Sequence, residues 1–193
     1  MNSKTQNPNI RDMVLAKAAG LIARRGPKGW SAADLAKECG LAKNTLYKII
    51  GSKEQLVETI VLDQIEATTG LLTAIIQREN DYRSAVRRMI HDGPSFLSER
   101  PRVAFPEIFL EFPSIESKAR ARQKRAAAAI IEFIEHGQGN GDIRKDMAPE
   151  FLYDLVRGIV EHYTRSGLEG EPLAEALRGA FTCLSEGVRL GKW

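Results

Sequence analysis

From Trp30 to Gln55 the chain reads Trp-Ser-Ala-Ala-Asp-Leu-Ala-Lys-Glu-Cys-Gly-Leu-Ala-Lys-Asn-Thr-Leu-Tyr-Lys-Ile-Ile-Gly-Ser-Lys-Glu-Gln, and few packings satisfy that spacing. Ala36 is small enough for a second helix to press against it. Gly40, four residues on, supplies a left-handed turn that a side chain would oppose, and Leu41, Leu46 and Ile49 fall where they fill the space beneath. The spacing predicts two short helices, about 32–39 and 42–49, angled as in a helix-turn-helix reader of DNA. Ser31 with Asp34 is the expected cap of the first, steadied by a staple between Trp30 and Leu35. Ser52 with Gln55 reads as a capping box opening a further helix.

The charge is distributed to match. The chain of 193 residues carries a formal net charge of +3. Residues 1–60 hold ten lysines and arginines against five acids, whereas residues 61–193 hold eighteen against twenty. A basic head on a near-neutral body suits a polyanion met by the head alone. Lys43, Asn44, Thr45, Tyr47 and Lys48 crowd the third helix with phosphate donors and base-edge readers, and Lys53 opens the next helix.

Along the rest of the chain the period is that of helices throughout, so an all-α fold is expected, with no strand pattern or repeat. Ile10 to Arg25 forms the first helix, stopped by Gly26-Pro27-Lys28-Gly29. A connector helix runs through Leu56, Ile60, Val61 and Ile65 toward Asn80-Asp81 and joins the two parts without a flexible linker. Helices follow at Tyr82–Leu97, Ser114–His136, Pro149–Ser166 and Pro172–Gly191. Pro101, Pro106 and Pro113 interrupt the stretch around Phe105, Phe109 and Phe112, leaving room for a short helix only. The expected domains are a three-helix DNA-binding head, 1–60, and a larger helical regulatory and dimerisation domain, 61–193.

Several residues in this pattern resemble the N-terminal domain of the TetR family of bacterial transcriptional regulators. They are Ser31, the run 34–43 (Asp-Leu-Ala-Lys-Glu-Cys-Gly-Leu-Ala-Lys), Thr45-Leu46-Tyr47, and Ser52 through Leu56. The likeness covers residues 10–60, and the Gly137–Asp146 segment extends it weakly. It implies phosphate-backbone contacts at Ser31, Thr45, Tyr47 and Lys53, and major-groove positions at Lys43, Asn44 and Lys48. The family's usual aromatic is replaced by Ile50, and Ile49 stands where an aromatic or histidine is common. The resemblance further implies a homodimer on double-stranded palindromic DNA, acting as a repressor, and a small-molecule effector held among the C-terminal helices. Phe109, Phe112 and His162 are the expected pocket residues.

For the dimer, Leu152, Leu155, Val156, Ile159 and Tyr163 form one apolar stripe. Leu177, Phe181, Leu184 and Val188 form another, so the last two helices are expected to pair across a dyad as a four-helix bundle, with Gly158 and Gly179 allowing close approach.

Other chemistries lack residues to carry them. His91, His136 and His162 have no close partner of metal-ligand spacing, and no metal or cofactor is expected. The Gly137/Gly139/Gly141 run follows a helix instead of a strand and reads as a terminator, not a phosphate loop. Lys118, Arg120, Arg122, Lys124 and Arg125 wrap round a helix and read as a solvated surface. No serine elbow or convergent polar cleft supports an enzyme. The two cysteines, Cys39 and Cys183, are expected to be reduced. The polar residues 1–9 and the longest apolar run, Ala126 to Ile131, predict a cytoplasmic protein without a membrane anchor. The alternative function is a DNA-binding protein without an inducer pocket, its C-terminal half serving only to dimerise or bind a protein.

Overall fold

A computed structural model describes residues 8–79, 81–101, 103 and 105–189. Asn80, residues 1–7 and the 190–191 end expected for the last helix lie outside the described residues. Among them run nine helices: α1 (Pro8–Arg25), α2 (Ala32–Cys39), α3 (Lys43–Ile50), α4 (Lys53–Arg78), α5 (Tyr82–Ser98), α6 (Phe105–Glu111), α7 (Pro113–Asn140), α8 (Pro149–Arg165) and α9 (Gly170–Val188). The one extended pairing described is a single antiparallel bridge between Ile143 and Arg189.

The helices form two compact units. The first takes the chain up to Ile65 together with Pro101–Arg122, and the second takes Glu66–Arg100 and the chain from Gln123. Two helices, α4 and α7, therefore each contribute residues to both. The first unit is thus larger than a head ending at residue 60, because α6 and the start of α7 join it.

A single apolar core explains that recruitment. Val14, Ala18 and Leu21 of α1, Leu35 of α2, Leu46 of α3 and Val57 and Val61 of α4 are all buried there. Ile108, Ile115 and Ala119 are buried in the same core at 0% exposure, with Val103, Phe105, Phe109 and Phe112 packed against it. These residues recur at 105, 108, 109, 112, 115 and 119, which keeps them on one side of the broken segment despite the prolines. Polar ties reinforce the packing: Lys28 pairs with Glu111 at 2.8 Å, Lys118 pairs with Glu58 at 2.7 Å, and the Ser114 hydroxyl donates to Glu54. Lys118 thus serves an internal ion pair, and Arg120 pairs with Glu116 along α7.

In the second unit α5 packs along α9, and α9 against α8. Ala85 and Pro94 of α5 are buried, as are Leu173, Ala174 and Leu177 of α9. Ile134, Ile143 and Leu152 make a separate small cluster, flanked by Tyr82, Tyr153 and Val188. This corrects the expected dimer stripes. Leu177 is fully buried and Leu152 is 4% exposed within the protomer, so neither is open to a partner. Leu155 stays exposed, and Val156, Ile159, Tyr163, Phe181, Leu184 and Val188 are half-buried. The side of α8 turned outward carries Phe151, Leu155 and Gly158.

The glycine run of α7 also differs from expectation. The helix continues through Gly137 and Gly139 to Asn140, and Gly141, at φ +80°, ends it. Gly137 is needed for packing instead: a Cβ there would lie 2.5 Å from the Tyr82 ring, itself stacked on Phe133 at 4.5 Å between centroids. The true stop is made when the Gly141 N–H donates to the Gln138 carbonyl and the Asp142 N–H to that of Gly137.

Helix α4 has the length and apolar composition of a membrane span. In this fold Leu56, Val57, Ile60, Val61 and Ile65 from it are buried in the first core instead.

Candidate nucleic-acid interface

Ser31 caps α2 in an extended conformation. Its hydroxyl accepts from the Asp34 N–H at 3.2 Å, while the Asp34 carboxylate accepts from the Ser31 N–H at 2.7 Å and from the hydroxyl at 2.6 Å. These bonds, the hydroxyl's first, hold the Asp34 carboxyl below the usual carboxylate range. A depressed carboxyl stabilises the fold above its unfolded pKa, so this cap weakens as pH falls into the carboxylate range.

At the far end Gly40 adopts φ 65°, ψ 31°. Its N–H donates to the Lys37 carbonyl at 3.2 Å and the Leu41 N–H to that of Ala36 at 2.9 Å, which closes α2 and turns the chain. Leu41 then packs on the core, as the spacing predicts. Arg24 pairs with Glu38 at 3.3 Å and the Lys17 ammonium donates to the Glu38 carbonyl, tying α2 to α1.

Helix α3 is set by its two sides. Leu46 and Ile50 are buried, at 0% and 8% exposure, and Ile49 packs on the same core. Lys43, Asn44, Tyr47 and Lys48 are exposed and lie at positions i, i+1, i+4 and i+5, one continuous surface; Thr45 is half-buried beside them. Ala42 at the N-cap offers no side-chain acceptor to the first-turn amides. Where the family's aromatic is replaced, Ile49 and Ile50 border a hollow of about 20 Å³ with Arg11, Val14, Leu15, Leu56 and Thr59. That is about the space of one water molecule.

Ser52 and Gln55 form the expected capping box of α4, the Gln55 N–H donating to the Ser52 hydroxyl at 3.1 Å and the Ser52 N–H to the Gln55 carboxamide at 3.0 Å. Lys53, the next residue, does not stand free for a phosphate. It is half-buried, its ammonium donates to the Trp30 carbonyl at 2.8 Å, and it lies 4.5 Å over the Trp30 ring. Burial lowers its pKa, with the charge of Glu111 acting in the opposite sense. Lys53 therefore clamps the start of α4 to the turn before α2. Ser31 is likewise engaged by its own cap, though exposed.

The expected effector residues are divided between the two units. Phe109 and Phe112 belong to the first unit's core. His162 is exposed on α8, edge-on to Tyr163. Phe109 and Phe112 join a core made by residues distant in sequence, a contact that local spacing does not record.

Residues 14–60 match the family model described as bacterial regulatory proteins, tetR family. Over 191 residues the chain is 25% identical to the HTH-type transcriptional repressor KstR2 of Mycolicibacterium smegmatis, covering 90% of this chain and 86% of that protein. It is 22% identical to the nucleoid occlusion factor SlmA of Marinobacter nauticus, covering 88% of this chain and 91% of that one. A TetR-family transcriptional regulator from Agrobacterium tumefaciens has a similar fold, with a TM-score of 0.75 at 18% identity, covering 95% of this chain and all of the other.

Proposed function

We propose that this chain, a TetR-family transcriptional regulator, is a cytoplasmic repressor that binds a palindromic operator as a homodimer and releases it when a small molecule binds the second unit. It is a regulator and not an enzyme. The observation that carries the DNA reading is α3, whose Leu46 and Ile50 are locked in the core while Lys43, Asn44, Tyr47 and Lys48 are exposed together.

Eight residues make a helix about 12 Å long, which fits a major groove about 12 Å wide. Lys43, Asn44 and Lys48 then face base edges, and Thr45 and Tyr47 meet phosphates at the groove's rim. Ser31 adds its exposed side to the backbone contacts. Two heads related by a dyad read half-sites about 34–36 Å apart, or slightly more.

Binding measured across a salt series separates these roles. Lys48→Ala is expected to relax the preference at the base pair it faces and, by removing a charge from the groove, to lower the slope of log affinity against log salt by less than the unit of about one that a direct phosphate contact carries. Asn44→Ala is expected to change the preferred base at one position, at about 1–3 kcal/mol for a bidentate contact. Selected sequences identical for the wild type and Asn44→Ala would remove Asn44 from the readout.

Release requires a ligand that prefers the conformation in which the two α3 helices are wrongly spaced. Helices α4 and α7 each supply residues to both units, and α6 rests on the head's core through Ile108, Phe109 and Phe112, so a shift of any of them is felt by the head. By linkage, an inducer weakens DNA binding by the factor by which DNA weakens the inducer, about 5–150-fold for typical couplings. A thermal-shift screen of hydrophobic and cationic compounds, followed by DNA titration with each hit, tests this. A hit that stabilises the protein yet leaves DNA affinity unchanged is no inducer.

One observation favours a second reading, a DNA-binding protein without an inducer pocket. Phe109 and Phe112 pack on the head's core, so the aromatics expected around an effector already have a structural use. A broad screen that yields no stabilising compound supports this reading.

A further inference from the structure

The cap of α2 sets an electrostatic difficulty for the surface beside it. Ser31 is exposed, and its hydroxyl donates at 2.6 Å to the Asp34 carboxylate, which is exposed too. The same bonds that make the cap keep that carboxylate ionised, so an anion sits where a DNA phosphate is to meet Ser31. Two cations stand next to it. Lys37 follows Asp34 by three residues on α2, which makes them neighbours on the helix surface. Arg25 ends α1, and the turn after it folds back on it: a Cβ on Gly29 would lie 2.1 Å from the Arg25 carbonyl oxygen, which brings Arg25 beside the residues leading into Ser31. The charges of both act on the Asp34 carboxyl in the sense that keeps it ionised.

Much of the head's positive charge is already in use inside the first unit. Lys17 and Arg24 are turned to Glu38, Lys28 to Glu111, and Lys53 to the Trp30 carbonyl. Arg25 and Lys37 differ from these: both are exposed, and neither makes a hydrogen bond or ion pair among the described residues. Glu38, held by Arg24 and Lys17, marks the side of α2 that is turned to α1. Ala33 and Lys37, four residues apart, share another exposed side, clear of that contact, and the small Ala33 leaves space beside the lysine.

Resting on the DNA reading above, we propose that Arg25 and Lys37 form a phosphate clamp outside α3, gripping the DNA backbone beside Ser31 and offsetting the Asp34 carboxylate that would otherwise repel it. The two residue types divide the work. The arginine fork can bind one phosphate through two nitrogens, and the lysine supplies a mobile point charge. Contacts of this kind fix where the head rests on the duplex and carry no sequence information, which leaves base choice to α3. Affinity for DNA then follows the head's unpaired cations and not its total positive charge.

Binding of the full chain to its selected duplex, and to a duplex of unrelated sequence, is measured across a salt series. Arg25→Gln and Lys37→Gln change exposed side chains, so melting should stay at the wild-type temperature. Each is expected to lower the slope of log affinity against log salt by about one for every head bound, and to weaken binding to both duplexes alike. Lys37→Arg, which keeps the charge, should keep the slope. Lys28→Gln, which loses only an internal ion pair, should keep it as well. In an Asp34→Asn protein, where there is no carboxylate to offset, the loss caused by Lys37→Gln should shrink. If the wild type selects a sequence but Arg25→Gln and Lys37→Gln retain its slope, or alter the preferred base instead, the clamp is overturned while the α3 reading stands. A loss that is the same with Asp34 and with Asn at that position overturns the offsetting role. A wild type that binds neither duplex overturns the clamp and the DNA reading together.

Discussion

Shortening Leu46 to alanine is expected to destabilise the first unit by about 2–5 kcal/mol, the usual cost of emptying a fully buried leucine site. Leu46 is at 0% exposure and is the central contact by which α3 is seated on α1, α2 and α4. Its loss removes more than transfer energy, because α3 has only eight residues and no side-chain cap to hold it in place. A helix that short is marginal in water by itself and depends on its packed side. DNA binding should therefore fall further than any single exposed substitution on α3 reduces it. Far-UV circular dichroism should stay close to wild type below the melting transition, since the other helices persist. A Leu46→Ala protein with unchanged melting and unchanged DNA affinity would show that α3 is not held as described.

Ile108→Ala is expected to cost the same unit about 2–5 kcal/mol, although Ile108 lies far along the chain from α2 and α3. Ile108 is fully buried against the core made by α1, α2, α3 and α4. Trp30 is buried in that core and is one of the two tryptophans of the chain, so a Trp193→Phe background makes its fluorescence a report on the head alone. The Trp30 transition should move to lower denaturant in Ile108→Ala with an unchanged slope. An unmoved transition would show that Ile108 does not contribute to the core of the head.

Local signals were legible where one stretch of chain decides the outcome. The caps at Ser31 and Ser52, the left-handed Gly40 and the burial of Leu46 depend on neighbours within a few residues, and the periodicity of α8 and α9 marked them as two-sided helices. What the period does not reveal is which partner covers an apolar side. Leu177, assigned to contact with a second copy, is buried within the protomer, while Phe181, Leu184 and Val188 of the same stripe stay half-buried. The compact unit around the head takes in more than residues 1–60 for the same reason, because its core also buries Ile108, Ile115 and Ala119.

Side chains that match a DNA-binding pattern also had other uses that spacing conceals. Lys53 occupies the position of a phosphate contact, yet its ammonium is held by the Trp30 carbonyl and ring. Gly137 resembled a helix stop because the run contains three glycines. The Tyr82 ring lying over it, some fifty residues away in sequence, gives that glycine its reason. In both cases the deciding contact is tertiary, and local residue type records only that a particular residue is tolerated.

The most direct test of the DNA reading is selection of bound sequences by the purified full-length chain from a pool of random duplex DNA. The account predicts enrichment of an inverted repeat with half-sites about one helical turn apart or slightly more, and loss of that enrichment when Lys43, Asn44 and Lys48 are replaced together by alanine. Failure of the wild-type protein to enrich any sequence, or enrichment that survives the triple replacement, would contradict it.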